Sequence, residues 1–233
     1  YGVVYFVKEM LAHAKKDIHD MRVAISGSGN VATHVAEKLL HEGAVPLTLS
    51  DREGYIYSVE GLTQEIIDAV KIHKENKHAL KELALPKDVT YHEGSVWQDV
   101  EADMYIPSAT QHEVKKEDAE MVVKNGAVLV AEAANMPCTA EAIEVFKNAG
   151  VLFGPAKAVN AGGVAVSGLE MSQNAMHLEW TREEVDSKLH TIMKHIHATC
   201  IQYGKNGNET DYILGANVGG FVRVFKAMKQ LGY

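Results

Sequence analysis

Apolar and polar positions follow two different periods along the first 155 residues of the chain. Apolar residues recur at helical spacing from Val3 to Ala14, which predicts an opening helix that ends near Lys16. Short apolar or β-branched runs that stop at turn residues predict strands, with one small extended excursion at 55–57. The strands are expected at 21–26, 45–50, 89–91, 104–106, 127–131 and 151–153.

Stretches of helical period separate these strands, and the strands stop after Gly163. The helices are expected at 30–42, 63–83, 115–123, 139–148, 164–178, 182–203 and 212–231, with a loop at 203–209. Asn30 and Thr139 stand where a polar side chain caps a helix. Alternation of strand and helix indicates parallel βαβ units with right-handed crossovers.

The pattern therefore predicts one α/β domain over 1–233. We expect an opening helix within 1–20, a Rossmann-like doubly wound sheet over 21–160 and a carboxy-terminal helical layer over 161–233. The sheet is expected to be mostly parallel, with helices on both faces.

Composition narrows the classes of function. The chain carries 23 basic and 31 acidic side chains, a formal charge of −8, which argues against binding to nucleic acid or to an anionic membrane. No apolar run approaches the roughly 20 residues that span a bilayer. Cys138 and Cys200 are too few for a disulfide framework, so we expect reduced thiols and a cytoplasmic location. Because the chain begins at Tyr1, inside an amphipathic pattern, we expect a fragment.

A glycine-rich turn lies between the first strand and its helix. Residues 27–32 read Gly-Ser-Gly-Asn-Val-Ala, which fits G-x-G-x-x-A. Gly27 permits the tight turn, Gly29 lets the backbone approach a pyrophosphate, and Ala32 keeps the helix close to the strand. Asp51 ends the second strand 22 residues after Gly29, where an acidic group binds a ribose. The combination predicts a dinucleotide site; the alternative is a tight turn that binds nothing.

Six stretches, of which the first contains the glycine-rich turn, carry a resemblance to a known family. They are SGSGNVA (26–32), LSDREGYIY (49–57), SATQHE (108–113), AEAANMP (131–137), GPAKAVNAGGVAVSGLEMSQN (154–174) and GANVGGF (215–221). Together they resemble hexameric glutamate dehydrogenases of the NADP type. The wider family also includes leucine, phenylalanine and valine dehydrogenases, which look less similar through the last three helices. The resemblance runs over the whole chain.

The resemblance implies that this chain is the cofactor-binding half of an enzyme. The family's substrate and catalytic domain lies upstream, so no catalytic residue is assigned here and the chain alone is expected to be inactive. The implied reaction is reversible oxidative deamination of L-glutamate to 2-oxoglutarate and ammonia, with hydride transfer to NADP. A homohexamer is implied for the complete enzyme, and the state of this chain alone stays open. The alternatives are an NAD-dependent leucine, valine or phenylalanine dehydrogenase, or a nucleotide-binding module without chemistry.

Individual roles are carried over only where the residues match. The cofactor positions are Ser28, Gly29, Asn30 and Val31 at the pyrophosphate, Ala109 and Thr110 along the nicotinamide ribose, and Asn135 and Asn160 at the nicotinamide or its ribose. Val164 and Ser167 would meet the substrate side chain, with Ser167 bonding its γ-carboxylate. Turn-forming asparagines, and a serine that bonds its own helix backbone, are the structural alternatives.

The charged residues near the second strand bear on the choice between NAD and NADP. Asp51 favours NAD, since it would repel a 2′-phosphate by about 4 kcal/mol at 4 Å and an effective dielectric near 20. Arg52 is adjacent, and Lys74 resembles a lysine that meets the 2′-phosphate in NADP-dependent members of the family. The alternative is a solvated basic helix face that includes His73 and Lys77. We favour NADP and keep NAD as the alternative.

Other candidate residues receive structural interpretations. His190, His195 and His197 lack the spacing and carboxylate partner of a metal site, so we expect a helix surface and no metal. Lys157 is interpreted as structural or cofactor-adjacent. The apolar stripe of Leu169, Met171, Met176 and Leu178 is expected to form core or a domain-packing surface.

Overall fold

The computed structural model describes residues 1–207 and 209–232. In chain order the helices are α1 Gly2–His13, α2 Asn30–His41, α3 Gln64–Glu75, α4 Val96–Asp99, α5 Lys116–Lys124, α6 Ala140–Asn148, α7 Ala156–Val159, α8 Ala161–Met176, α9 Arg182–Gly204 and α10 Tyr212–Gln230. The strands are β1 Arg22–Ile25, β2 Val45–Pro46, β3 Thr48–Ser50, β4 Gly54–Tyr57, β5 Thr90–Glu93, β6 Met104–Ile106, β7 Leu129–Ala131, β8 Leu152–Gly154, β9 Lys205–Asn206 and β10 Glu209–Thr210. A short 3₁₀ helix covers Leu80–Glu82.

The central sheet is parallel, with the five-strand order β2-β1-β6-β7-β8. Successive side chains of a strand point to opposite faces. Ile25 and Ile106 belong to a buried cluster with α1, α2, α3 and α9, whereas Ala24 and Tyr105 belong to a second cluster with α4, α5 and α6. The sheet is therefore buried on both faces, which confirms the doubly wound α/β prediction.

The predicted strand at 45–50 is in fact two strands. Val45 and Pro46 continue the parallel sheet, but β3 pairs with β4, and β4 with β5, in a separate antiparallel sheet of three strands. Pro46 has no N–H to donate. The Thr48 hydroxyl accepts from the Ile25 N–H at 2.8 Å and donates to the Ile25 carbonyl at 2.9 Å. This side chain occupies both backbone groups of Ile25, which leaves the β3 backbone to pair elsewhere.

The same sheet corrects two further predictions. The excursion at 55–57 is a full strand, and the strand expected at 89–91 lies at 90–93, antiparallel to β4 and outside the parallel sheet. Polar, exposed side chains dominate this last strand, as in an edge strand facing water. It returns the chain to the carboxyl ends of β1 and β6.

Several helix boundaries also differ from the prediction. The helix expected at 63–83 ends at Glu75, because Asp51 holds the Leu80 N–H and the chain turns with Lys77 at φ 61°. The helix expected from 164 begins at Ala161, directly after α7. Gly29, and not Asn30, is the N-cap residue of α2, and no side chain caps that helix. Part of the loop expected at 203–209 forms the β9–β10 hairpin, with Asn208 outside the described residues, as is Tyr233.

The carboxy-terminal helices form the predicted extra layer, in which α9 packs against both α1 and α10. Within α9, His197 is buried, which corrects the expected helix surface. Its Nε2 lies 3.0 Å from the Tyr212 hydroxyl, and the Phe6 ring meets it edge-on. His195 is exposed, and His190 stacks on Tyr5 with ring centroids 4.6 Å apart. No cluster suited to a metal, and no helix long and apolar enough to cross a membrane, occurs in the part of the chain described.

Close backbone contact between α9 and α10 should make Gly215→Ala destabilising. A Cβ at Gly215 would lie 2.1 Å from the Cys200 carbonyl oxygen, whereas one at Gly220 would meet nothing within 4 Å. We expect Gly215→Ala to lower the free energy of unfolding by about 2 kcal/mol. The control, Gly220→Ala, should raise it by up to about 1 kcal/mol, since alanine favours the helix. Urea unfolding measures both, and equal effects would contradict this packing.

Burial of His197 should make stability fall in mild acid. Burial, more than the nearby His13, lowers the pKa of His197 from 6.5 to about 4, against the opposing influence of Glu9. The unfolded chain therefore binds a proton that the folded chain does not, and stability is lost as pH falls from about 6.5 towards about 4, by at most about 1.4 kcal/mol per pH unit.

The test compares urea unfolding at pH 5 and pH 7 for the wild type, His197→Gln and the exposed control His195→Gln. We expect the pH difference to shrink in His197→Gln alone. A difference unchanged by that substitution would show that His197 does not contribute it.

Candidate functional site

A cavity of about 460 Å³ opens at the carboxyl ends of β1 and β6. β1 lies between β2 and β6 in the sheet, so the chain leaves these neighbouring strands in opposite directions. Such a switch point creates a crevice, and ligands of doubly wound sheets bind there. Eight residues predicted from the sequence line it: Gly27, Ser28, Gly29, Asp51, Arg52, Lys74, Ala109 and Thr110.

The two glycines of the turn differ in what they permit. Gly27 has φ +84°, and a Cβ there would lie 3.1 Å from the Ser108 carbonyl oxygen and 3.2 Å from the Ala109 Cα. The fold therefore needs glycine at this position for both conformation and space. Among the described residues, a Cβ at Gly29 would meet nothing within 4 Å, so no contact with them requires that glycine. Ala32 is fully buried, as close packing of α2 on the strand requires.

The Asp51 carboxylate is turned towards the backbone. It accepts from the N–H groups of Glu53 at 3.0 Å, Gly54 at 3.3 Å and Leu80 at 2.8 Å. Burial alone would raise the pKa of Asp51, but these hydrogen bonds and the charge of Lys74 outweigh it and hold the pKa below its usual value. Asp51 thus closes the β3–β4 turn and anchors the segment after α3.

Arg52 and Lys74 are the basic residues at this end of the cavity. Arg52 is exposed, and Lys74 is half-buried on α3. The other basic residues of the segment do not line the cavity: Lys77 lies beyond the end of α3, and the His73 ring lies 2.8 Å from the Ala79 carbonyl oxygen. Arg52 and Lys74 therefore line the cavity, whereas His73 and Lys77 do not.

Sequence reasoning missed the polar side chains that shape the cavity wall. The Ser50 hydroxyl accepts from the Gly27 N–H at 2.7 Å, and the Ser26 hydroxyl accepts from the Ser108 N–H at 2.9 Å. Glu113 Oε1 accepts from the N–H groups that follow β6. The motif SATQHE contained Glu113, but its spacing gave no signal for a backbone-binding role.

A second buried carboxylate, Glu132, links the loops after β7 and β8. Its Oε1 accepts from the Cys138 N–H at 3.1 Å and its Oε2 from the Ala156 N–H at 2.8 Å. Burial raises the pKa of Glu132 above its usual value, although hydrogen bonds oppose the shift. Asn160 donates through Nδ2 to the Ala134 carbonyl at 3.1 Å, so the loops behind the cavity form one bonded assembly.

The remaining predicted cofactor residues lie outside this cavity. Val31 and Asn160 line a second cavity, of about 910 Å³, between α1, α2, α8 and α9. Asn30 is the exposed first residue of α2, and Asn135 is exposed in the loop after β7. Eight of the twelve predicted cofactor residues therefore line the switch-point cavity, and the other four lie outside it.

The two predicted substrate residues lie on an exposed face of α8. Val164 is 74% exposed, and Ser167 is also exposed. Over residues 1–207 and 209–232, nothing hydrogen bonds with the Ser167 side chain, whereas Ser172 donates to the Gly168 carbonyl at 2.9 Å. The Met171 and Met176 side chains are exposed as well, so this stripe is a surface and not part of the core. Lys157 is exposed and donates to Asn217 Oδ1 at 2.6 Å, in agreement with a structural interpretation.

A doubly wound parallel sheet with a glycine turn at its switch point defines the class of dinucleotide-binding α/β proteins. The family model described as Glutamate/Leucine/Phenylalanine/Valine dehydrogenase matches residues 1–232, and the chain belongs to this family.

Proteins similar to this chain include glutamate dehydrogenases named as specific for NADP and others named as specific for NAD. The chain is 48% identical over its whole length to the NADP-specific glutamate dehydrogenase of Haemophilus influenzae, covering 52% of that protein. It is 44% identical to the NAD-specific glutamate dehydrogenase of Porphyromonas gingivalis, covering 53%. A crystal structure of glutamate dehydrogenase from Plasmodium falciparum matches the whole chain with a TM-score of 0.95 at 41% identity, over 51% of that chain. The chain thus spans about half the length of the relatives it matches.

Proposed function

We propose that this chain is the cofactor-binding domain of a glutamate dehydrogenase and that its switch-point cavity binds NADP. The main observation behind this proposal is the cavity, which is lined by the glycine turn at one end and by Arg52 and Lys74 at the other. In the complete enzyme the nicotinamide would accept hydride during reversible oxidative deamination of L-glutamate to 2-oxoglutarate and ammonia. The family, which the comparisons establish, supports this reaction.

The start of α2 suits a pyrophosphate. The first N–H groups of a helix have no partner within it, and the helix dipole favours an anion there. Within the described residues, no side chain caps α2, as is also the case for α1, α3, α7 and α8, whereas Thr139, Thr181 and Asp211 cap α6, α9 and α10. The open space at Gly29 lets the phosphates approach this backbone. Ser28, Gly29, Asn30 and Val31 would surround them.

The opposite end of the cavity suits a 2′-phosphate. Asp51 also lines this end, and its carboxylate, which accepts from three backbone N–H groups, would repel that group, so the nearby cations would have to outweigh it. Arg52 and Lys74 offer positive charge nearby, and like the phosphate contacts of other proteins these would be ionic and salt-dependent. NAD stays the alternative cofactor, because relatives of similar identity are named for either nucleotide.

Ala109 and Thr110, on the wall after β6, would lie along the nicotinamide ribose. Asn160, held by the loop after β7, and Asn135 would face the nicotinamide side of the cleft. From there the dinucleotide would extend towards the second cavity, which Val31 borders. These assignments run from the glycine turn, along the wall after β6, to the loop after β7.

The substrate side requires a second domain, which we propose lies upstream and supplies the catalytic residues. Val164 and Ser167 would meet glutamate from the exposed face of α8. This face and the exposed apolar side of α10, which includes Phe221, Val224 and Phe225, would pack against that domain. The length of the relatives, about twice that of the chain, supports this division. We infer a homohexamer for the complete enzyme and a cytoplasmic location, the latter from the two free cysteines.

Calorimetric titration of the chain with NADP and, separately, with NAD tests the cofactor assignment. We expect tighter binding of NADP and a loss of about tenfold in NADP affinity on Lys74→Ala, equal to about 1.4 kcal/mol, with little change for NAD. Lys77→Ala is the matched control, because Lys77 lies outside the cavity. Preference for NAD would contradict the charge argument but not the family.

Substitution at the glycine turn tests the phosphate site. Gly29→Ala should leave the free energy of unfolding within about 1 kcal/mol, because the added Cβ meets no atom of the described residues within 4 Å. The same Cβ would occupy space that the pyrophosphate needs, so we expect NADP affinity to fall at least about tenfold. Gly27→Ala should instead unfold the chain more easily, which separates a folding defect from a binding defect. Unchanged NADP affinity in Gly29→Ala would place the phosphates elsewhere.

A further inference from the structure

The Glu113 carboxylate is part of the cavity wall, and the function proposed above gives it no role. Its Oε1 accepts from the Ala109 N–H at 3.0 Å and from the Thr110 N–H at 3.2 Å. Backbone donors need partners when they leave a strand end. The carboxylate therefore fixes the loop that follows β6.

A neighbouring side chain ties the same loop to the other strand of the switch point. The Ser26 hydroxyl accepts from the Ser108 N–H at 2.9 Å. Ser26 directly precedes Gly27, and both Ser26 and Glu113 line the cavity. Ser26 therefore joins the glycine turn to the loop after β6, and Glu113 holds that loop one residue further along.

No cation balances this charge. Among the residues that the structure describes, no lysine, arginine or histidine nitrogen lies within 4 Å of the Glu113 carboxylate. Burial raises the pKa of Glu113, while the hydrogen bonds from the Ala109 and Thr110 N–H groups act against that rise. These backbone hydrogen bonds are thus what compensates the carboxylate for its burial.

We propose that Glu113 is a positioning residue for the dinucleotide: its carboxylate fixes the loop after β6, which Ser26 ties to the glycine turn, so that the nicotinamide half meets a preformed wall. The inference rests on the proposed function. A wall held in place before binding costs the ligand less to order, and this gain belongs only to the part of the ligand that touches the wall.

Removal of the Glu113 carboxylate should therefore weaken the binding of one half of the dinucleotide more than that of the other. Arg52 and Lys74, at the adenosine end, belong to other segments, and the hydrogen bonds of Glu113 go to Ala109 and Thr110 instead. Loss of the carboxylate should weaken binding of the whole dinucleotide and spare a ligand that lacks the nicotinamide half. Adenosine 2′,5′-bisphosphate is such a ligand.

The first experiment titrates the chain with NADP and with adenosine 2′,5′-bisphosphate by calorimetry. We expect Glu113→Ala to raise the Kd for NADP about tenfold and to leave the Kd for the bisphosphate within about twofold. Glu113→Gln should restore the Kd for NADP to within about threefold of wild type, since the amide oxygen can accept from both N–H groups. Glu117→Ala, an exposed glutamate four residues away, is the matched control.

The second experiment needs no ligand. Amide hydrogen exchange at Ala109 and Thr110, measured by NMR, should be faster in Glu113→Ala than in the wild type and near the wild-type rate in Glu113→Gln. Exchange in β7 should be unchanged in both variants. This reads the link between loop and carboxylate directly.

The outcomes separate the two proposals. Wild-type NADP affinity in Glu113→Ala, or unchanged exchange at Ala109 and Thr110, would overturn the positioning role. Equal loss of both ligands with a lowered Tm would also overturn it, in favour of a general effect on folding. A wild-type chain that binds neither ligand would contradict the proposed function, and the cofactor role of Glu113 with it.

Discussion

The close approach of two loops at the carboxyl ends of β1 and β6 is the constraint on which the rest of the site depends. Gly27 makes it possible, because its φ of +84° and its missing Cβ let the turn lie against Ser108 and Ala109. Parallel pairing of β1 and β6 brings the two loops to the same edge of the sheet. The cavity then forms where the chain leaves the neighbouring strands in opposite directions.

Short polar side chains complete the backbone at this edge, where the sheet ladder stops. Thr48, Ser50 and Ser26 take up donors from β1, Gly27 and Ser108, while the Asp51, Glu113 and Glu132 carboxylates each accept from loop N–H groups. Buried backbone donors need such partners, and a side chain supplies them without adding a strand. The first N–H groups of α2 receive no side-chain cap, which leaves them for an anion.

The exposed apolar side chains of α8 and α10 do not line this cavity. Met171 on α8 and Phe221, Val224 and Phe225 on α10 expose about half or more of their surface to solvent. Adjacent apolar side chains on a helix commonly mark an interface with another domain or chain. We propose that these side chains pack against a second domain, while the cavity binds the cofactor.

The sequence alone determined the strand and helix alternation and the G-x-G-x-x-A turn, because these depend on local periodicity and on residues close together in the chain. The eight predicted residues of the cavity came from that turn together with the resemblance to a known family. Tertiary structure decided the rest. The division of 45–50 between two sheets depends on a Thr48 contact with β1, the end of α3 on Asp51, and the burial of His197 on Phe6 and Tyr212. The link between the loops of β1 and β6 through Ser26 also forms only when these two strands lie side by side. Such contacts join residues far apart in the chain, so no local pattern records them.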